Sequence, residues 1–226
     1  MDVVIMGAGG HGRVVLDALR LAGTHRAIGF LDADTTRAGD EVMGIPILGG
    51  VNLFGKLRKQ GIGGVIVAIG DNRVRGGYAE AVEQAGFELL TVIHPAAILA
   101  PGTHVGRNVF VAAGAIISTG VRIADGAIIN TGAVVDHECQ IGRFVHICPG
   151  ALVAGRVEVE ERAFVGMGAK VLPCLRIGAE ATIGAGAVVL QDVSPRSTVV
   201  GVPARAIQSG SDPAGTGRRT VERGIR

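Results

Sequence analysis

Residues 129–141 read Ile-Asn-Thr-Gly-Ala-Val-Val-Asp-His-Glu-Cys-Gln-Ile, with aliphatic side chains at 129, 135 and 141. Followed outward, that six-residue step runs without a miss from Ile93 to Val189, and none of the seventeen positions is polar. A period of six fits neither the 3.6 of a helix nor the two of a simple strand, and it marks a parallel β-helix. Each hexad is then a short strand and a corner, with the aliphatic residue inward. The next residue is often small (Gly106, Ala112, Ala124, Gly142, Ala154, Gly166), where a larger side chain would collide with the following strand. Three hexads close one triangular coil, so residues eighteen apart stack. At the ~4.8 Å spacing of paired strands the hexads build about five coils, roughly 25 Å tall. A sandwich needs irregular turn spacing, which this register lacks.

The chain of 226 residues has room for one or two domains. It is 48% hydrophobic but only 3% aromatic, so its core is built from Val, Ile, Leu and Ala. A net charge of +2 gives no reason to expect nucleic acid or an anionic membrane. No apolar run approaches the ~18 residues of a membrane span, and no signal peptide opens the chain, so a cytoplasmic protein is expected. Cys139, Cys148 and Cys174 are odd in number and read as reduced thiols.

Ahead of the hexads, Asp2–Met6 reads as a buried strand that runs into Gly7-Ala8-Gly9-Gly10-His11-Gly12 and an apolar-periodic helix. Glycines in a strand–turn–helix context let the backbone approach a phosphate at the helix N-terminus. A second strand, Ala27–Leu31, ends in Asp32 and Asp34, whose carboxylates can accept bonds from ribose or a base edge. A helix over about 52–60 leads to a strand over 65–69 and the loop Gly70-Asp71-Asn72-Arg73. A helix across 78–84, with Gly86 as its cap, precedes a last strand over 88–93. This alternation predicts a small parallel α/β sheet with a ligand edge where Gly9, Gly10, His11, Asp32, Asp34, Gly70 and Asp71 converge. A cap that uses glycine only for packing is the rival. The predicted organisation is a Rossmann-like nucleotide-binding domain at 1–92, a β-helix at 93–194, a cap at 195–207 where the period fails at Pro195, and a disordered tail at 208–226.

Chemistry concentrates in the coil that carries Asn130, Asp136, His137, Glu138 and His146. His137 sits two places after inward Val135, at a corner, and eighteen residues on lies Gly155. A base and a backbone N–H stacked about 5 Å apart suit acyl transfer, the one taking a proton and the other receiving the oxyanion. Glu138 could fix the imidazole tautomer. The residues alone leave three rivals: a plain surface histidine, a metal held by His137, Cys139, His146 and Cys148 at a non-standard spacing, and Cys148 as nucleophile.

The glycine-rich opening, Ile-Gly-Asp-Asn-Arg at 69–73, the 129–139 segment and Val-Gly-Val-Pro-Ala-Arg at 200–205 together resemble one family. It is the sugar acetyltransferases of the hexapeptide-repeat superfamily, which include bacillosamine-pathway and perosamine N-acetyltransferases and sialic acid O-acetyltransferases. The resemblance implies a left-handed β-helix, a homotrimer with active sites between subunits, and acetyl-CoA as co-substrate with no metal. It implies His137 as general base, Glu138 as its orienting partner, Gly155 as donor to the thioester carbonyl and Asn130 near the acceptor sugar. His146, Met167 and Ala185 would line the pantetheine groove and Arg205 would approach the CoA phosphates. The N-terminal domain would hold a nucleotide-linked amino sugar. The expected activity is N-acetylation of that sugar in bacterial surface-glycan synthesis, with O-acetylation of sialic acid or its activated form as the alternative. A zinc-dependent lyase on a similar prism and a non-catalytic scaffold are the readings outside the transferases.

Overall fold

The computed structural model describes residues 1–207, so the expectation of a disordered tail at 208–226 lies outside the described residues. The amino-terminal part is a six-stranded sheet of β1 (Asp2–Met6), β2 (Arg26–Leu31), β3 (Glu41–Val42), β4 (Ile45–Gly49), β5 (Gly64–Val67) and β6 (Glu88–Leu89), in the order β3-β4-β2-β1-β5-β6. All pairs are parallel except β3 with β4. The chain leaves β1 toward one side of the sheet and returns to fill the other, and ligands bind at such a switch point, beyond the strand C-termini. Helix α1 (Gly10–Ala22) packs Val15, Leu16 and Leu19 against Val3 and Ile5.

The helix expected over 52–60 is shorter, α2 (Phe54–Lys59), and its first turn is a tight 3₁₀ stretch at Val51–Leu53. The helix expected over 78–84 begins a turn and a half earlier, as α3 (Asn72–Gln84), because the Asp71 side chain caps the N–H groups of Arg73 and Val74. The strand expected over 88–93 divides. Glu88–Leu89 closes the sheet, while Val92–Ile93 is already the first rung of the next unit.

That unit is a left-handed parallel β-helix. Its two-residue strands run from Val92–Ile93 to Val188–Val189, each ending on one of the hexad aliphatics. Rungs eighteen apart pair in parallel, as Phe110 with Ile128 and Ile128 with His146, and form three faces. From Val111 onward the hexad side chains are buried in one core, whereas Ile93, Leu99 and Val105 of the open first coil are half-buried. Beyond Pro195 the chain does not simply plug the end. Thr198–Val200 pairs with Thr182–Ile183, so the first face gains another rung, and Arg205–Ile207 folds back on it antiparallel.

The corners obey a rule of their own. From Gly102 to Gly186 every sixth residue has positive φ, including Asn108, Glu138, Phe144, Arg156, Arg162, Cys174 and Glu180. A left-handed conformation costs a non-glycine residue ~1–2 kcal/mol, a cost accepted at each turn so that the next strand stays in register. The small residues just after each inward aliphatic answer a different need. A Cβ on Gly142 would stand 2.8 Å from the Glu161 nitrogen of the next coil.

Two glycine substitutions separate these constraints. Gly150→Ala, with φ of 66° and no atom within 4 Å of the added Cβ, should lower unfolding free energy by about 1 kcal/mol through backbone strain alone. Gly142→Ala, at an ordinary φ, should cost about 2–3 kcal/mol through overpacking, read as the shift in urea midpoint.

Candidate active site

His137 and Glu138 form the corner between the second face, which holds Val134–Val135, and the third, which holds Gln140–Ile141. The Asp136 carboxylate accepts the His137 N–H at 2.7 Å and fixes the start of the turn. One coil on, the imidazole lies over Gly155, where an added Cβ would come within 2.5 Å of Cε1. The His137 carbonyl accepts the N–H of Arg156 at 2.8 Å, which locks the two corners together. Glu138 Oε2 is 3.2 Å from His137 Nδ1 and 2.8 Å from Arg156 Nε. Arg156 chiefly, and then His137, holds the Glu138 carboxyl below its ordinary range, so it stays ionised. A carboxylate at Nδ1 selects the tautomer with its proton there and leaves Nε2 as a lone-pair acceptor. The Gly155 N–H has no hydrogen-bond partner among the described residues.

The sheet's ligand edge is equally ordered. Asp32 Oδ2 accepts the Ala8 N–H at 2.9 Å and lies 3.4 Å from Arg37 Nη1, while Oδ1 accepts the Asp34 N–H at 3.0 Å. Asp32 thus ties the glycine-rich turn to the end of β2. Asp34 caps a short 3₁₀ turn through Thr36. The glycines divide by function. A Cβ on Gly12 would collide with the Gly7 carbonyl and the Phe30 ring, so that glycine serves packing. Gly9 and Gly10 have nothing within 4 Å of an added Cβ, and no side chain caps the first turn of α1. An open backbone at an uncapped helix N-terminus suits an anion.

Between these regions lies a buried polar junction. His146, on the first face, brings Nδ1 within 3.3 Å of the Gly70 carbonyl and Nε2 within 3.1 Å of Asn130 Nδ2. The carbonyl requires Nδ1 to donate, so Nε2 accepts from Asn130, whose Oδ1 accepts the Thr131 N–H at 2.8 Å. His11 stands 6.5 Å from His146 between ring centroids and edge-on to Phe110 at 5.2 Å, with a buried Nε2 that has no partner among the described residues. Burial first, with Arg75 and, for His11, His146 adding to it, lowers both imidazoles to about 4.

Asn130, His146, His11 and Gly70 are therefore brought together, while His137, Glu138 and Gly155 stand at the next corner of the same chain. Met167 and Ala185 stack in the corner column of Pro149, between the first and second faces, and their N–H groups have no partner among the described residues. Arg205 sits at the top of the prism, its guanidinium turned to the Ala204 carbonyl at 2.9 Å. Cys139 and Cys148 are buried, and burial raises their thiols to about 11 and about 12, which suits packing rather than attack. Among the described residues no three His, Cys, Asp or Glu side chains converge as a metal site. The sequence reading missed Arg156 and Arg75. Arg156 stacks eighteen residues after Glu138, a spacing that could have found it, whereas Arg75 carries no such signal.

Residues 2–82 match the family model of the PglD N-terminal domain. No curated protein sequence matches the chain. Among solved structures it is similar to PerB from Caulobacter crescentus, crystallised with CoA and GDP-perosamine, at 42% identity and a TM-score of 0.88 over 92% of this chain and 97% of that one. The acetyltransferase domain of PglB from Neisseria gonorrhoeae is 37% identical with a TM-score of 0.86, over 91% of this chain and 99% of that one. WeeI from Acinetobacter baumannii is 27% identical with a TM-score of 0.84, over 92% and 100%.

The buried imidazoles predict an acid-labile fold. In the unfolded chain histidines take up protons near 6.5, but His11 and His146 do so only near about 4 once folded. Between those values the unfolded state binds more protons, so stability falls as pH drops from 6.5 toward 4. Unfolding free energies from urea titrations at about pH 7 and about pH 5 should differ by about 3–4 kcal/mol, roughly half from each ring, and His146→Gln should shrink that difference.

Proposed function

The chain belongs to the sugar N-acetyltransferases of the hexapeptide-repeat class, the family of the perosamine and PglB-type enzymes, and from that membership we propose a role for each part of its site. It is an acetyl-CoA-dependent N-acetyltransferase whose acceptor is the amino group of a nucleotide-linked amino sugar. The observation that carries the mechanism is the His137 imidazole stacked on Gly155 beside a backbone N–H that nothing else uses.

In the proposed reaction the sugar amine attacks the thioester carbonyl directly. His137 Nε2 takes the proton released from nitrogen as the C–N bond forms, and the Gly155 N–H holds the oxyanion. Collapse expels the CoA thiolate, which the imidazolium reprotonates. Glu138, kept ionised by Arg156, stabilises that imidazolium. The turn at Gly9, Gly10 and His11 receives the nucleotide diphosphate, and Asp32, Asp34, Gly70 and Asp71 frame the rest of the nucleotide. Asn130 faces the sugar, the free N–H groups at Met167 and Ala185 receive the pantetheine amides, and Arg205 and His146 complete the CoA groove.

The three faces differ in a way that supports a homotrimer. The first lies under the nucleotide domain, and the third carries the ion pairs of Arg176 with Glu158 and Glu160. The second presents Ile98, Ile116, Val134, Leu152, Lys170 and Val188 outward, with Ile98 62% exposed. An apolar stripe of this kind calls for burial against copies of the chain. His137 stands at one edge of that face and Met167 at the other, so packing around a threefold axis sets one copy's base against the next copy's pantetheine groove.

His137→Ala should lower kcat by about two to four decades without loss of fold, and near-normal turnover would end the mechanism. Gly155→Ala should cost about two decades or more by displacing the ring. A product stable to mild alkali identifies an amide. Leu152→Glu should shift the sedimentation mass from trimer to monomer. A mixture of His137→Ala with a glycine-turn variant should recover activity when sites are shared between copies.

A further inference from the structure

Arg75 is completely buried and has no carboxylate within ion-pairing distance among the described residues. All five of its N–H groups are nonetheless used. Nε donates to the Gly126 carbonyl at 2.7 Å, and Nη1 donates to the Ile69 and Gly70 carbonyls at 2.8 and 3.1 Å. Nη2 donates to Asn72 Oδ1 at 2.7 Å and to the Phe144 carbonyl at 2.8 Å. Two acceptors belong to β-helix corners, two to the loop that follows β5 and one to the first residue of α3. Asn72 continues the clamp by donating to the Arg162 and Ala163 carbonyls. Burial lowers the guanidinium only to about 10, so it is charged at neutral pH.

We propose that Arg75 is a positioning residue for acetyl transfer: it clamps the 69–72 segment to the β-helix and sets a buried positive charge on the Gly70 carbonyl that the His146 ring also bonds.

The Gly70 carbonyl joins this clamp to the imidazoles, since it accepts from Arg75 Nη1 and lies 3.3 Å from His146 Nδ1. His146 bridges the two domains as a donor to Gly70 and an acceptor from Asn130, and a proton on Nε2 would abolish the second bond. His11 Nε2 is buried beside it without a partner among the described residues, at the mouth of the glycine-rich turn, so a neutral ring there is free to bond an incoming polar group. The groups facing the two rings are Phe110 and Phe164, Asn130 and the Gly70 carbonyl, which Arg75 also bonds, with Asp71 acting on Arg75 from the N-terminal cap of α3. A nearby positive charge penalises protonation of an imidazole, and the clamp holds the loop that frames the nucleotide sugar. That last step rests on the nucleotide-sugar assignment above; the effect on the rings does not.

The test pairs Arg75→Met with Arg75→Lys in the full chain, following histidine titration by NMR and kinetics against both substrates. Arg75→Met should raise the His11 and His146 midpoints by about half a unit to one unit, and Arg75→Lys, which keeps the charge, should leave them near wild type. Both variants lose the five-bond clamp, so KM for the nucleotide sugar should rise at least about tenfold. Unmoved midpoints in Arg75→Met overturn the electrostatic role, and an unchanged sugar KM in either variant overturns the clamp. Should Arg75→Met fail to fold, Arg75→Lys decides: wild-type midpoints with a raised sugar KM support the proposal, and any other combination overturns it. The titration needs no substrate, so it stands even if the acceptor proves to be another molecule.

Discussion

The register of one coil on the next is the constraint from which the rest follows. Parallel rungs one circuit apart bond backbone to backbone, and that ladder survives only if every corner turns by the same amount. The chain meets this by placing every sixth residue in the left-handed region, glycine or not. Because the ladder fixes height and azimuth together, two groups eighteen residues apart are held as firmly as neighbours in a helix. The His137 ring above Gly155 is one result, and the Glu138–Arg156 pair beside it is another.

The second region of order is the junction between sheet and prism, whose chemistry is unlike the core's. Aliphatics fill the prism, whereas the junction buries a guanidinium, the His146 imidazole and Asn108, whose Oδ1 accepts the Val67 N–H at 2.8 Å. Buried polar groups of this kind cost more than packed hydrocarbon unless their bonds are made, but their directionality allows few relative placements of the parts they join. A transferase that must bring two substrates together needs that restriction. Here the loop after β5 is tied to the β-helix through Arg75, Asn72 and His146 rather than through an apolar surface alone.

Much of this was legible in the residues. The period of six in the aliphatics gave the coils, and counting eighteen from His137 reached Gly155. The same count from Glu138 reaches Arg156, yet a surface arginine has no distinguishing pattern until its partner's position is known. The start of α3 was missed because Asp71 resembles a ligand residue of the loop, while the first turn of the helix buries Arg75 and Gly76 instead of an apolar stripe. The extra rung at Thr198–Val200 escaped because the turn between Val189 and Val193 is two residues short, which breaks the count but not the pairing.

The sequence by itself determined the prism, the α/β sheet before it and the stacking of the His137 ring on the Gly155 backbone, since each depends on a repeat or on local conformational preference along the chain. Only the tertiary structure decided that His146 is a buried bridge, that Asp32 is spent partly on holding its own turn, and that Arg75 joins the two domains. Those facts depend on which surfaces meet across long separations, and a buried polar contact is specified by the direction of bonds in space, a property that no periodicity in the residues encodes.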